Sequence, residues 1–365
     1  MMSYRSLLVI PLMILLGCNS YSLDKPFQAE NGLWGYKDKK GKVRIEAKYD
    51  DANIFREGLA SVRLGDYKTG KYGFIDKTGK IVIPLKYDSV EDFSEGLAAV
   101  KLGDDKTVKW GFVDKTGKIV IPLKYQYAGS FSEGLAAVSL NGKFLNGKFG
   151  FVDKTGKVVI PLMYRTAWSF SEGLAKVELS DDETAKYGFV DTTGKEVVPL
   201  KYDLVEDFSE GLASVRLGDD ETGKWGFVDR TGKVVILLKY DDVWFFREGL
   251  AEVKLDGKWG FVDKTGKEVV PVKYDEAGFF YEGLARINIG GEWNEYEGPE
   301  LLGGKWGFVD KTGKEVVPVK YDYVESFSEG LAAVSLNGKF GFVDKTGKEY
   351  WHMTKDEARR QMKNR

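Results

Sequence analysis

The chain is expected to fold as an all-β array of tandem repeats, and three observations point there. An aromatic residue is followed at once by glycine at Trp34, Tyr72, Trp110, Phe149, Tyr187, Trp225, Trp259, Trp306 and Phe340, at intervals of 34 to 47 residues. The tetrapeptide Glu-Gly-Leu-Ala keeps nearly the same beat, in eight copies from Glu57 to Ala332. No stretch of a copy shows apolar residues at helical spacing, whereas Trp110, Phe112 and Asp114 alternate with Gly111 and Val113 at the period of two that a strand requires. A unit copied many times has no unique centre. What every copy carries belongs to the architecture, and a specific function is expected where one copy departs from the rest.

The first eighteen residues differ in kind. Arg5 precedes a short apolar run from Leu7 to Leu16, and Leu15-Leu16-Gly17-Cys18 follows. Ten apolar residues are too few to span a bilayer as a helix, so the segment reads as an export signal. It resembles the bacterial lipoprotein signal, whose lipobox ends in a small residue and then cysteine. That resemblance implies a signal over residues 1–18, acylation of Cys18, a tether over 19–32, and a mature protein held at a membrane on the periplasmic face or cell surface. As the sole cysteine, Cys18 has no partner for an internal disulfide, which fits a thiol committed to an anchor.

The repeat array is assigned to 33–349. In the copy around Trp110, Ser94-Glu95-Gly96 marks a turn before a strand at Leu97 to Leu102, and a variable polar loop leads to a strand from Lys109 to Asp114. Asp114-Lys115-Thr116-Gly117 then reads as a bulged hairpin, with Asp accepting turn hydrogen bonds and Gly in the left-handed position. It returns into Ile119-Val120-Ile121, which Pro122 is expected to end. Three strands per copy follow, with a short fourth over Ser89 to Phe93. The Gly after each aromatic is expected to let a neighbouring ring lie flat on the backbone. Residues 350–365 form a basic tail suited to a short helix, expected to be a solvated end.

These units closely resemble the WG or KWG repeat family of bacterial proteins, whose units read Lys-Trp-Gly-Phe-Ile-Asp-Lys-Thr-Gly-Lys and later Phe-Ser-Glu-Gly-Leu-Ala. The match runs from about Leu33 to Lys348, with Tyr or Phe replacing Trp at Tyr72, Phe149, Tyr187 and Phe340. The resemblance implies a surface or lipoprotein-like protein and is nearly mute about activity. Four strands in a 38-residue interval also approach a propeller blade of about 40 to 45 residues, so a closed propeller-like ring is the alternative fold. The short link from Leu123 to Tyr127 and the leftover hairpin from Trp34 to Tyr49 favour an open, solenoid-like array with capping ends.

Chemistry is sparse. His352 is the single histidine and lies outside the repeats. No metal-spaced Cys or His, nucleophile motif or phosphate loop occurs, so no cofactor or metal is expected and an enzyme is not. Lys plus Arg number 54 against 56 Asp plus Glu, which provides no basic field for nucleic acid. Departures from the repeat are the better guide. Trp168 and Trp244 stand where other copies have Glu91, Glu206 and Glu325, and Phe245, Phe279 and Tyr281 replace polar residues nearby. The 47-residue interval holds an acidic aromatic loop with Trp293 and Tyr296. These seven residues are the candidate binding face for a protein or glycan, on a non-enzymatic scaffold. The alternative is a cell-wall or glycan-processing enzyme using scattered carboxylates. The ligand, the membrane leaflet and the oligomeric state are not specified by sequence.

Overall fold

The computed structural model describes residues 25–103, 108–140, 148–179, 185–219, 221–294 and 300–363. A three-stranded sheet (Pro26–Gln28, Trp34–Lys37, Val43–Tyr49) is followed by eight four-stranded sheets, whose first strands begin at Asp51, Ser89, Tyr127, Thr166, Leu204, Asp242, Glu276 and Tyr323 and which are numbered copies one to eight below. Each sheet pairs its strands antiparallel in chain order, so the tandem meander array read from the sequence is present, short fourth strand included. Within the stretch assigned to a tether, Pro26–Gln28 is itself a strand, paired with Trp34–Tyr36. The chain divides into two compact units, residues 1–131 with 154–156 and residues 132–153 with 157–365. The same local construction recurs in both.

Copy two shows how the motif folds. Its strands are Ser89–Val90, Leu97–Leu102, Lys109–Asp114 and Ile119–Tyr125. The hairpin after Asp114 has the expected form: the Thr116 hydroxyl donates to Asp114 Oδ1 at 2.6 Å, the Thr116 and Lys118 amides donate at 2.9 and 3.1 Å, and Gly117 takes φ +83°. Two expectations need correction. Trp110 opposes Tyr125 while Phe112 opposes Ile121, so Gly111 alone faces the backbone of three residues, Pro122 to Lys124. A Cβ on Gly111 would sit 2.5 Å from the Ile121 carbonyl oxygen and 2.7 Å from the Leu123 nitrogen. The glycine therefore admits a bulged partner strand and not a neighbouring ring; Gly341, with Trp351 at 2.6 Å, is where a ring does lie on it. Pro122 does not end its strand either. It sits exposed on the bulge, where the ladder is already interrupted and a missing donor costs nothing.

Burial is on both faces of the third strand, because each sheet is covered by neighbours on either side within a unit. Phe74 meets Phe93 of the following copy with ring centroids 4.9 Å apart, and Phe189–Phe208, Phe227–Phe246 and Phe308–Phe327 repeat the edge-on contact at 4.8, 5.0 and 4.7 Å. Each such pair contributes about 0.5–1.5 kcal/mol beyond the area it removes from water. The Glu-Gly turns add a polar tie. Glu57 adopts φ +49°, a conformation that costs a non-glycine residue about 1–3 kcal/mol. Its carboxylate accepts the Gly96 amide of the next copy at 3.0 Å and pairs with Lys115 at 3.0 Å. Glu210 does the same with Gly249 and Lys264, and Glu282 with Gly330 and Lys345.

The C-terminal tail is not a solvated end. Lys355–Lys363 forms a helix opened by a capping box, in which the Glu357 amide donates to the Thr354 hydroxyl and Glu357 accepts the Thr354 amide. Ala358 is wholly buried against Leu331 and Tyr350, Met362 lies over Gly330, and Arg359 and Lys355 face Glu329. The helix thus takes the place of a ninth copy, supplying the cation that Glu329 would otherwise receive from the next hairpin. Ala358→Asp should undock it and speed amide hydrogen exchange across Leu331–Leu336 by about tenfold or more, leaving copy one unchanged. Unaltered exchange at Leu331–Leu336 would show that the helix does not cap the array.

Candidate functional site

The carboxylates common to every copy are engaged in the fold. The hairpin Asp residues cap turns. Asp88, after the Tyr that ends the fourth strand of copy one, pairs with Lys71 and accepts the Gly103 amide at 2.8 Å, a pattern repeated by Asp203 with Lys186 and Gly218, although Gln126 and Arg165 stand at this position after copies two and three. Among the described residues, no group of three His, Cys, Asp or Glu is placed to hold a metal.

The departures gather partly into one place. Trp244 follows the first strand of copy six, its amide bonded to the Glu252 carbonyl at 3.0 Å. Its ring meets Phe279 of copy seven edge-on at 5.5 Å, and Phe279 in turn stacks on Phe245 at 5.0 Å with 28° between the planes. Trp244 and Phe245 remain 46% and 44% exposed, a high fraction for rings that both pack on Phe279. Tyr281 stands beside them in another contact: the Arg247 guanidinium lies 4.1 Å over its ring. Arg247 and Tyr281 replace the serine of other copies, whose hydroxyl donates to a carbonyl of the next copy, as Ser209 does to Phe246 at 2.7 Å.

Trp168 is not brought into this cluster. It packs 6.3 Å from Tyr187 and carries the Lys176 ammonium 4.7 Å above its ring, while Lys176 also reaches Asp207 of copy five at 3.5 Å. The 47-residue interval is not simply a loop: strands Leu284–Asn294 and Glu300–Asp310 extend the hairpin so that Trp293 opposes Leu301. Tyr296 and Cys18 lie outside the described residues, as does the Trp293 side chain.

Beside the rings, a cleft of about 550 Å³ opens between copies five and six. Phe208, Trp225, Trp244 and Phe245 supply aromatic walls, and Glu206, Asp207 and Asp242 supply carboxylates. Burial raises the Asp242 carboxyl above its usual range, opposed by the Val243 amide it accepts. The equivalent cleft between copies one and two is polar, with Asn53, Arg56, Glu91 and Asp92 in its walls and no tryptophan.

Three site residues escaped the sequence reading. Glu252 stands where other copies have Ala99, Ala137, Ser214 or Ala333, and is 4% exposed. Burial, with Glu276 adding and Arg286 opposing, pushes its carboxyl up to about 8, and Glu276 is itself pushed up to about 7 by burial. Arg286 fills the space left by Gly278, where a Cβ would meet its Nε at 2.6 Å. The signal was available, since all three are departures from the repeat.

A family model described as WG containing repeat matches residues 34–67, 72–105, 110–144, 149–181, 187–219, 225–259, 259–293 and 306–340. No curated protein matches the chain. Among solved structures, it is similar to a eukaryotic initiation factor (12% identity over 90% of this chain and 96% of that one, TM-score 0.44). It is also similar to the tricorn protease (13%, 91% and 39%, TM-score 0.25) and to the Pyrococcus horikoshii acylaminoacyl peptidase (11%, 81% and 57%, TM-score 0.34). Likeness at this level carries nothing about activity.

Proposed function

The chain belongs to the WG-containing repeat family, and from that premise we propose that it is a non-enzymatic, membrane-anchored extracytoplasmic scaffold whose ligand, a protein or a glycan, docks on the face carrying Trp244, Phe245 and Phe279. The single observation behind this reading is that three aromatic departures from the repeat, contributed by two neighbouring copies, form one half-exposed cluster beside a cleft. Exposed apolar rings concentrated in one place mark interaction surfaces, and aromatic anchors commonly carry most of a binding energy. Anchoring rests on the lipobox-like residues ending at Cys18.

The test compares Trp244→Ala/Phe279→Ala with the native protein for capture of ligand from envelope extracts, with thermal unfolding as the folding control. The double variant is expected to keep its fold and lose at least about tenfold in capture, the scale of one or two lost anchors. Equal capture by both proteins removes this face from consideration. Palmitate incorporation, lost in Cys18→Ala, tests the anchor separately. The enzyme reading has one observation in its favour, the raised carboxyls of Glu252 and Glu276, but Glu252 is too buried to meet a substrate. Turnover of a glycan panel would revive it.

A further inference from the structure

We propose that the cleft between copies five and six receives the lysine or arginine side chain of a basic peptide segment in a partner protein. The inference rests on the scaffold reading above and deepens it. The first ground is charge complementarity. The ionisable residues in the cleft walls are Glu206, Asp207 and Asp242, with no basic residue among the described lining. Asp207 is already shared with Lys176, so Glu206 and Asp242 are the carboxylates left to a ligand. An anionic ligand would be repelled, and a cation with an apolar stem would bury that stem on the rings of Phe208, Trp244 and Phe245 while its charge faces the acids.

The second ground is that the protein already makes this contact with its own side chains on either side of the cleft. In copy four, the Lys176 ammonium sits 4.7 Å over Trp168 and 3.5 Å from Asp207. Trp244 occupies the position of Trp168 two copies later, but the strand residue bonded to its amide is Glu252 in place of Lys176. The ring equivalent to Trp168 therefore lacks the internal lysine that Trp168 has. Arg216 stacks over Trp225 at 5.6 Å and Arg247 over Tyr281 at 4.1 Å, so rings around the cleft accept guanidinium as well as ammonium. The corresponding cleft of copies one and two, about 700 Å³, has Arg56 in its wall and no tryptophan, so it offers an entering cation neither the indole face nor an all-acidic set of ionisable walls. A volume of about 550 Å³ falls in the range of sites that take small ligands, which leaves room for a lysine or arginine side chain.

The test is fluorescence anisotropy with the full chain and a labelled hexapeptide containing two lysines and one arginine, beside the same peptide with norleucine or acetyl-lysine at those positions. The basic peptide is expected to bind saturably and to weaken as salt rises. Trp244→Ala should weaken it about tenfold, and so should Glu206→Gln, a change at an exposed residue that cannot disturb the core. Equal binding of the norleucine or acetyl-lysine peptide overturns the proposal, as does unchanged affinity in the carboxamide variant. Binding of a chitin or cellulose oligosaccharide that is sensitive to Trp244→Ala, with no peptide bound, overturns the basic-peptide assignment and leaves the scaffold reading standing. Binding of neither ligand overturns the proposal, and extract capture that is also insensitive to Trp244→Ala/Phe279→Ala removes the scaffold face with it.

Discussion

Gly226→Ala is expected to destabilise copy five by about 3 kcal/mol or more, the range of severe overpacking against rigid backbone. Gly226 follows Trp225 in the motif, opposite the bulge of the fourth strand. An added methyl would lie 2.5 Å from the Ile236 carbonyl oxygen and 2.8 Å from the Leu238 nitrogen. Both are main-chain atoms of a strand whose register on either side is held by Trp225 against Tyr240 and Phe227 against Ile236. No rotamer can relieve the contact, and moving the strand would pull Ile236 and Tyr240 out of a buried cluster with Phe246 of the next copy. Gly249→Ala is the matched control. It sits at φ +87° with open space around its Cβ direction, so its cost is backbone strain alone, about 1–2 kcal/mol. Thermal unfolding by circular dichroism should place Gly226→Ala well below Gly249→Ala. A reversed order would mean that the bulge adapts and that the motif glycine has some other purpose.

The parts of the fold that were legible in the sequence are those decided within a few residues. Asp114 to Gly117 and Ser94 to Gly96 announce their turns because the residues that make the hydrogen bonds are neighbours. The bulge was not legible, since it depends on three residues of one strand meeting one residue of another, and neither Gly111 nor Pro122 carries that count. The tail helix was expected but its docking was missed for a similar reason: Ala358 and Met362 look like an unremarkable tail until Leu331 and Gly330 are beside them. At the site, Trp244, Phe245 and Phe279 were found because aromatic substitutions stand out against a repeat. Trp168 was grouped with them because equivalent positions in two copies read alike, although the copies hold them apart. Glu252 passed unnoticed because one more acid among 56 does not stand out, even though its position is otherwise held by small or basic residues.

Glu252→Gln should stabilise the protein increasingly as pH rises from about 4.5 to 8 and leave it unchanged below about pH 4.5. The native carboxyl is 4% exposed, its Oε1 has no hydrogen-bond partner among the described residues, and burial pushes it up to about 8 from an ordinary 4.5. Between those two values the folded chain holds a proton that the unfolded chain releases, so stability falls as pH rises through that window. Below about 4.5 both states are protonated and the penalty vanishes; above 8 it is complete, on the order of 5 kcal/mol. Glu276, pushed up to about 7, acts in the same direction over the lower part of the window. The hairpin carboxylates run the opposite way. Asp229, held below its usual range by the Thr231 hydroxyl and by the Thr231 and Lys233 amides, contributes stability that is lost only as pH falls below about 4. The two effects therefore separate along a pH series. Melting temperature of the native protein should decline from pH 5 to 8.5, the Glu252→Gln curve should be flatter, and a double variant with Glu276→Gln should be flattest. Parallel curves for the native and Glu252→Gln proteins would mean that Glu252 ionises within the fold, with Arg286 closing on it as a full ion pair. In that event copy seven, whose Arg286 now occupies the space beside Gly278, would have to rearrange next to Phe279, and the aromatic cluster would change shape with it.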